Sequence, residues 1–214
     1  IRDEWGIGAE EKLLLFGGRV CFEKNVGLLV RAMVHVLERE PAARLAIVGR
    51  GPAEGAMRHL AGELGISDRV IMAGYRPHSE MADIYAAADL FLFASQTETQ
   101  GLVTVEAMAA GTPVVAVRGP GTLDLLAGEK GGLLCEADEK DMAAKALRLL
   151  HDRALYAEKE AQARVRAQHF SSPSMARRMA HIYESLLRSP EQRRRRLLRP
   201  ARWISQRTGL GRFR

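Results

Sequence analysis

The chain has 214 residues, 47% of them hydrophobic, which suits one domain or one and a half with a core of ordinary size. No apolar run nears the roughly 20 residues that would span a bilayer. The net charge of +6 is uneven: residues 188–214 hold ten arginines and one acid, a net +9, while the rest holds 22 basic and 25 acidic residues, or −3, so any anionic partner implied by charge belongs to the tail and not to the fold.

Taken in order, residues 2–12 are expected to form a lead-in helix or linker. Ile1-Arg-Asp-Glu-Trp-Gly has neither a start Met nor the apolar segment of a secretory leader, and reads as the beginning of a piece of a longer product. Lys12–Gly17 is the first buried strand and ends in Gly17-Gly18-Arg19. The loop that follows carries Arg19 and Lys24, and Asn25 is expected to cap a helix with Val26, Leu29, Val30, Met33, Val34 and Leu37 on its apolar face. Arg44–Gly49 is the second strand. Gly49-Arg50-Gly51-Pro52 then leads into a helix carrying Met57, Leu60, Ala61 and Leu64. Val70–Gly74 is the third strand, followed by the loop Tyr75–Ser79, with Ser79 expected as the N-cap of a helix over Met81–Ala87.

Ala88–Ala94 is the fourth strand. Ser95–Gln100 is a polar loop, and Gly101 opens a helix through Leu102, Val105, Met108 and Ala109 that Gly111-Thr112-Pro113 ends. Val114–Val117 is the fifth strand, and Arg118–Thr122 a tight glycine loop before a short helix around Leu123–Leu126. Gly131–Cys135 is a short sixth strand. A helix over 139–151 turns Ala143, Ala146, Leu147 and Leu150 inward, and two more helices, 154–169 and 173–187, are divided by Ser171-Ser172-Pro173. Strands that are apolar throughout and alternate with helices predict an α/β, Rossmann-like parallel sheet with helices on both faces.

Several chemistries find no motif. There is no GxxxxGK[ST] loop, no HExxH and no GxSxG, and Gly49-Arg-Gly51-Pro-Ala-Glu-Gly55 only approaches the dinucleotide fingerprint, its third glycine one place late. The six histidines are scattered, and Cys21 and Cys135 lack metal spacing, reading as small buried hydrophobes in a reducing, cytoplasmic compartment. No metal and no cofactor is expected.

What remains is a coincidence of place. In a parallel sheet, the loops after the first and fourth strands meet at the carboxyl edge, where open α/β sheets bind ligands. One carries the cations Arg19 and Lys24, suited to a diphosphate leaving group. The other carries Glu98, eight residues before Glu106, and carboxylates accept hydrogen bonds from vicinal diols. Together they point to a nucleotide-diphosphate sugar. The plainer alternatives are that Glu98, Arg19 and Lys24 are solvated loop charges and that Glu106 pairs locally.

Gly18-Arg19…Glu23-Lys24, Gly74-Tyr75 and Glu98-Thr-Gln-Gly101-Leu…Glu106-Ala-Met-Ala-Ala-Gly111-Thr-Pro113-Val-Val resemble the C-terminal, donor-binding domain of GT-B retaining glycosyltransferases of the group 1 superfamily. The resemblance covers residues 1–187 as a nucleotide-sugar-binding domain and leaves 188–214 as a basic, Arg-rich tail. It implies that Arg19 and Lys24 contact the donor diphosphate and that Glu98 binds donor sugar hydroxyls, these three being the catalytic set. Gly18 belongs to the diphosphate loop, and backbone N–H groups over Thr99, Gln100, Gly101 and Leu102 hold sugar and phosphate. Glu106 takes the ribose diol, and the loop at Tyr75 and Arg76 holds the base edge. The donor would be UDP- or GDP-linked, as in UDP-glucose or GDP-mannose, and serves as co-substrate. The acceptor, a lipid or polysaccharide, would be bound by an N-terminal domain that this chain lacks, so the chain alone is expected to bind donor without transferring sugar. Two alternatives remain at this stage: a nucleotide-sugar epimerase of the same architecture, told apart by a free epimerised product, and a non-catalytic binding module. In the tail, Arg193–Arg196 beside Leu197, Leu198, Trp203, Ile204 and Phe213 combine cations with apolar anchors and admit three readings: a contact for the inner face of an anionic membrane, a solvated tail, or a last helix that packs on the absent domain; nucleic-acid binding has little support from the aromatic spacing.

Overall fold

The computed structural model describes residues 1–187. It divides into two compact units, Ile1–Phe170 and a second that begins at Ser171. The first unit holds six strands: β1 (Leu13–Gly17), β2 (Arg44–Val48), β3 (Val70–Gly74), β4 (Leu90–Phe93), β5 (Val114–Val117) and β6 (Gly132–Cys135). It also holds seven helices: α1 (Val26–Leu37), α2 (Glu54–Glu63), α3 (His78–Ala87), α4 (Leu102–Ala110), α5 (Pro120–Leu125), α6 (Glu139–His151) and α7 (Arg153–Gln168). All strand pairs are parallel, in the order β3-β2-β1-β4-β5-β6. The expected doubly covered, Rossmann-like sheet is the one observed.

The strands read as unbroken apolar runs because both of their faces are buried. Leu14, Phe16, Leu45, Ile47, Leu90, Leu92, Val115 and Leu133 face α1, α2 and α6. Their neighbours Leu13, Leu15, Val48, Phe91, Phe93, Val114 and Ala116 face α3, α4 and α7. Side chains that alternate between faces thus feed two separate cores. Cys21 and Cys135 are buried and free, and burial pushes the Cys135 thiol up to about 12.

Helix starts differ from the sequence expectation. Asn25 does not cap α1: it closes a 3-10 turn over Phe22–Lys24 in the left-handed region (φ 51°, ψ 37°), and its side chain makes no cap bond. Ser79 is not a cap either, because α3 begins at His78 directly after Pro77, whose extended ψ of 147° turns the chain one step earlier. The glycine loop at 118–122 is shorter than expected, since Pro120 already starts α5. On α4 the buried face is Thr104, Ala107 and Met108, while Leu102 and Ala109 are exposed. On α6 it is Met142, Ala143, Ala146 and Leu149, with Leu147 and Leu150 at its margin. Residues 2–12 form turns rather than a helix.

The second unit, where described, is the helix α8 (Ser172–Leu187). Met175, Met179, Ile182, Tyr183 and Leu186 are exposed along it at helical spacing. The tail at 188–214 lies outside the described residues. No helix among the described residues is long and apolar enough to cross a membrane.

Candidate functional site

The strand order reverses between β1 and β4. The crevice at the carboxyl ends of two such strands is the ligand position in open α/β sheets, because the crossovers leave the sheet there in opposite directions. The loops after these strands carry Arg19, Lys24 and Glu98; Arg76 follows β3, and Glu106 lies within α4.

The loop after β1 is built against the loop after β2. Gly18 N–H donates to Val48 O (2.9 Å), Val20 N–H to Arg50 O (3.0 Å) and Ala53 N–H to Val20 O (3.1 Å). A Cβ on Gly49, which sits at φ +131°, would stand 1.9 Å from Gly18 O, and one on Gly51 would stand 2.1 Å from Val20 O. The near-fingerprint glycines are therefore explained by close approach of protein backbone.

Lys24 and Glu98, 74 residues apart, form an ion pair of 2.5 Å between Nζ and Oε2, both side chains about a quarter exposed. The Lys24 hydrogen bond holds the Glu98 carboxyl below its ordinary range, and the N–H groups of Gly101 and Gln100 add to this. The loop is braced from behind: Gly121 N–H, in α5, donates to Glu98 O (3.0 Å). A Cβ at Gly121 would meet that oxygen at 2.7 Å. From α7, Arg166 Nε donates to Leu125 O (2.9 Å), and the buried Lys159 Nζ to Glu129 O (2.8 Å). Gly101, at φ +59°, is the N-cap of α4, with no side-chain bond to the first turn. Thr99, Gln100 and Leu102 are exposed beside it.

A cleft of about 460 Å³ opens between the ends of β1–β3 and the helices α3 and α4. Gly18, Arg19, Gly49, Arg50, Tyr75, Arg76, His78, Met81, Tyr85, Val103 and Glu106 line it. It brings together five of the expected residues: Gly18, Arg19, Tyr75, Arg76 and Glu106. Lys24 and Glu98 are not among its walls. Arg19 and Tyr75 are exposed, whereas Arg76 is held by Glu4 and Glu80 and sits over the Trp5 ring at 5.8 Å. Tyr85 escaped the sequence reading. Its hydroxyl donates to Glu106 Oε2 (2.9 Å), and its pKa lies well above the usual phenol, first through burial and then through the Glu106 charge. The available signal was the helical spacing of His78, Met81 and Tyr85. Among the described residues no three His, Cys, Asp or Glu side chains come together as a metal site.

Similar proteins share this frame. The chain is 38% identical over 150 residues to an alpha-monoglucosyldiacylglycerol synthase of Streptococcus pneumoniae, covering 70% of the chain and 34% of that protein. It is 37% identical over 193 residues to a D-inositol 3-phosphate glycosyltransferase of Corynebacterium jeikeium, covering 86% and 46%. It thus spans a third to a half of the length of these relatives. The crystal structure of HepE from Anabaena in complex with UDP superposes with a TM-score of 0.76 at 25% identity, over 86% of the chain and 51% of that one. The profile of the family described as glycosyl transferases group 1 matches residues 1–169, and the chain belongs to that family.

Proposed function

We propose that the chain binds a UDP- or GDP-linked sugar at this cleft and is the donor half of a retaining hexosyltransferase. The observation that supports the reading is the Lys24–Glu98 ion pair, which joins the loops after β1 and β4, the two strands between which the sheet order reverses, beside the cleft that Arg19 and Glu106 line. The diphosphate would lie toward Arg19, Lys24 and the uncapped first turn of α4, and the two cations would stabilise the charge it gains as leaving group. A phosphate reaching Lys24 releases Glu98, whose carboxylate then accepts from the sugar hydroxyls. Glu106 accepts from the ribose diol, and Tyr75 and Arg76 border the base. The acceptor would be bound by an N-terminal domain outside this chain. Of the two acceptor classes, lipid and polysaccharide, the lipid is supported by the alpha-monoglucosyldiacylglycerol synthase among the relatives.

The test is calorimetric titration of the chain with UDP-glucose, GDP-mannose and UDP in turn, repeated with Glu106→Ala. One donor is expected to bind, and to weaken about tenfold or more in the variant, the loss of a hydrogen bond to a charged group. Unchanged affinity in the variant would remove the reading.

A further inference from the structure

The matched motif leaves one buried polar group of the cleft unexplained, the phenol of Tyr85. The residue is 2% exposed. Its ring meets Phe91 edge-on with centroids 5.7 Å apart, and its carbonyl accepts from Thr112 Oγ1 at 2.6 Å. The hydroxyl sits over β1, 3.5 Å from where a Cβ on Gly17 would stand. A phenylalanine could make the ring and carbonyl contacts and keep the ring carbon that stands 3.6 Å from the same point over Gly17. The one it could not make is the hydrogen bond that Tyr85 Oη donates to Glu106 Oε2 at 2.9 Å.

That bond has a consequence for what Glu106 can hold. The buried phenol stays protonated, so toward the Glu106 carboxylate it can only donate. A carboxylate offers about four lone-pair sites. Tyr85 takes one of those sites, on Oε2, and so restricts the rotation of the group, while Glu106 lines the cleft and has the remaining sites to offer there. A carboxylate fixed in this way presents two acceptors side by side, the spacing of two hydroxyls on adjacent carbons. One free to rotate accepts a single hydroxyl almost as well.

We propose that Tyr85 is a positioning residue that holds Glu106 for two-point capture of a vicinal diol, so that the site selects ribose over 2′-deoxyribose in the nucleotide it binds. The proposal rests on the donor-site reading above and adds to it a residue and a selectivity.

The test uses the chain as it stands, titrated with UDP and 2′-deoxy-UDP and, in parallel, with GDP and 2′-deoxy-GDP. The native chain is expected to prefer the ribonucleotide by about tenfold, the worth of one hydrogen bond to a charged acceptor. In Tyr85→Phe, which keeps the ring, the ribonucleotide weakens toward the affinity of its deoxy analogue and the preference collapses. In a double-mutant cycle, Tyr85→Phe adds no further loss to Glu106→Ala, because the phenol acts only through that carboxylate. A preserved preference in Tyr85→Phe, or losses that add in the double variant, would overturn the proposal. Should Tyr85→Phe fail to fold, Tyr85→Met, which also removes the hydroxyl and fills the space with an adaptable apolar side chain, takes its place: loss of the ribose preference there supports the proposal, and its retention overturns it. Failure of the donor-site reading looks different. A native chain that binds neither nucleotide removes both, whereas one that binds ribo and deoxy forms alike keeps the donor site and removes only the role of Tyr85.

Discussion

Lys24 and Glu98 are two charges, 74 residues apart, that neutralise each other. Because both are partly exposed, the pair contributes less than about 1 kcal/mol to folding. Glu98 titrates below the ordinary 4.5, so its contribution is complete above that value and is lost as pH falls through the lowered one. The melting-temperature difference between the native chain and Glu98→Gln should therefore stay constant from pH 7 to pH 5 and close at more acid pH. Lys24→Ala should leave the fold nearly as stable and weaken UDP binding about tenfold, read by calorimetry, since the lost contact is a charge-assisted one to phosphate. Arg19, Lys24, Glu98 and Glu106 could be singled out in the sequence because they fall in motifs that resemble a family; by residue type alone each reads equally well as a solvated charge, and their meeting depends on loops far apart in the chain. Tyr85 could not, because a tyrosine on the inner face of a helix reads as core until its hydroxyl is found facing a carboxylate.

At the scale of elements, the strands were legible and the helix starts were not. An apolar run of four to six residues between turns leaves little choice in a sheet covered on both sides. A helix start depends on backbone angles. Asn25 has the right side chain for a cap in the wrong conformation, and Pro77 starts α3 before Ser79 can. The glycines between β2 and α2 misled differently. Their sequence approaches a dinucleotide fingerprint, while the space they leave is filled by the loop after β1. Gly51→Ala should accordingly destabilise the chain by about 3 kcal/mol, more than an ordinary surface change, as backbone has to move to admit the Cβ. Urea unfolding measures this, and a loss below about 0.5 kcal/mol would show that the two loops are not packed as described.

At the scale of the whole molecule, the family and the parallel sheet were legible, while the strand order was not: no single residue encodes that β1 lies between β2 and β4. The charge asymmetry belongs to this scale as well. With ten arginines after residue 187 and a mildly acidic remainder, the chain is expected to bind vesicles containing anionic lipid and to release them as salt rises. Removal of residues 188–214 should abolish that binding in a sedimentation assay, and equal binding by the shortened chain would refute it.

The join between β1 and β4 has a further meaning. β1 meets β2 along five residue pairs but β4 along two, so the sheet is thinnest where the candidate site straddles it. The halves on either side are each continuous in sequence, β1 to β3 and β4 to β6. A ligand gripping the loops after both β1 and β4 would act as a clamp across a crack, stiffening the protein where its own ladder is shortest. Amide hydrogens of β4 should then exchange more slowly once nucleotide is bound, while those of β3, at the far edge, keep their rate.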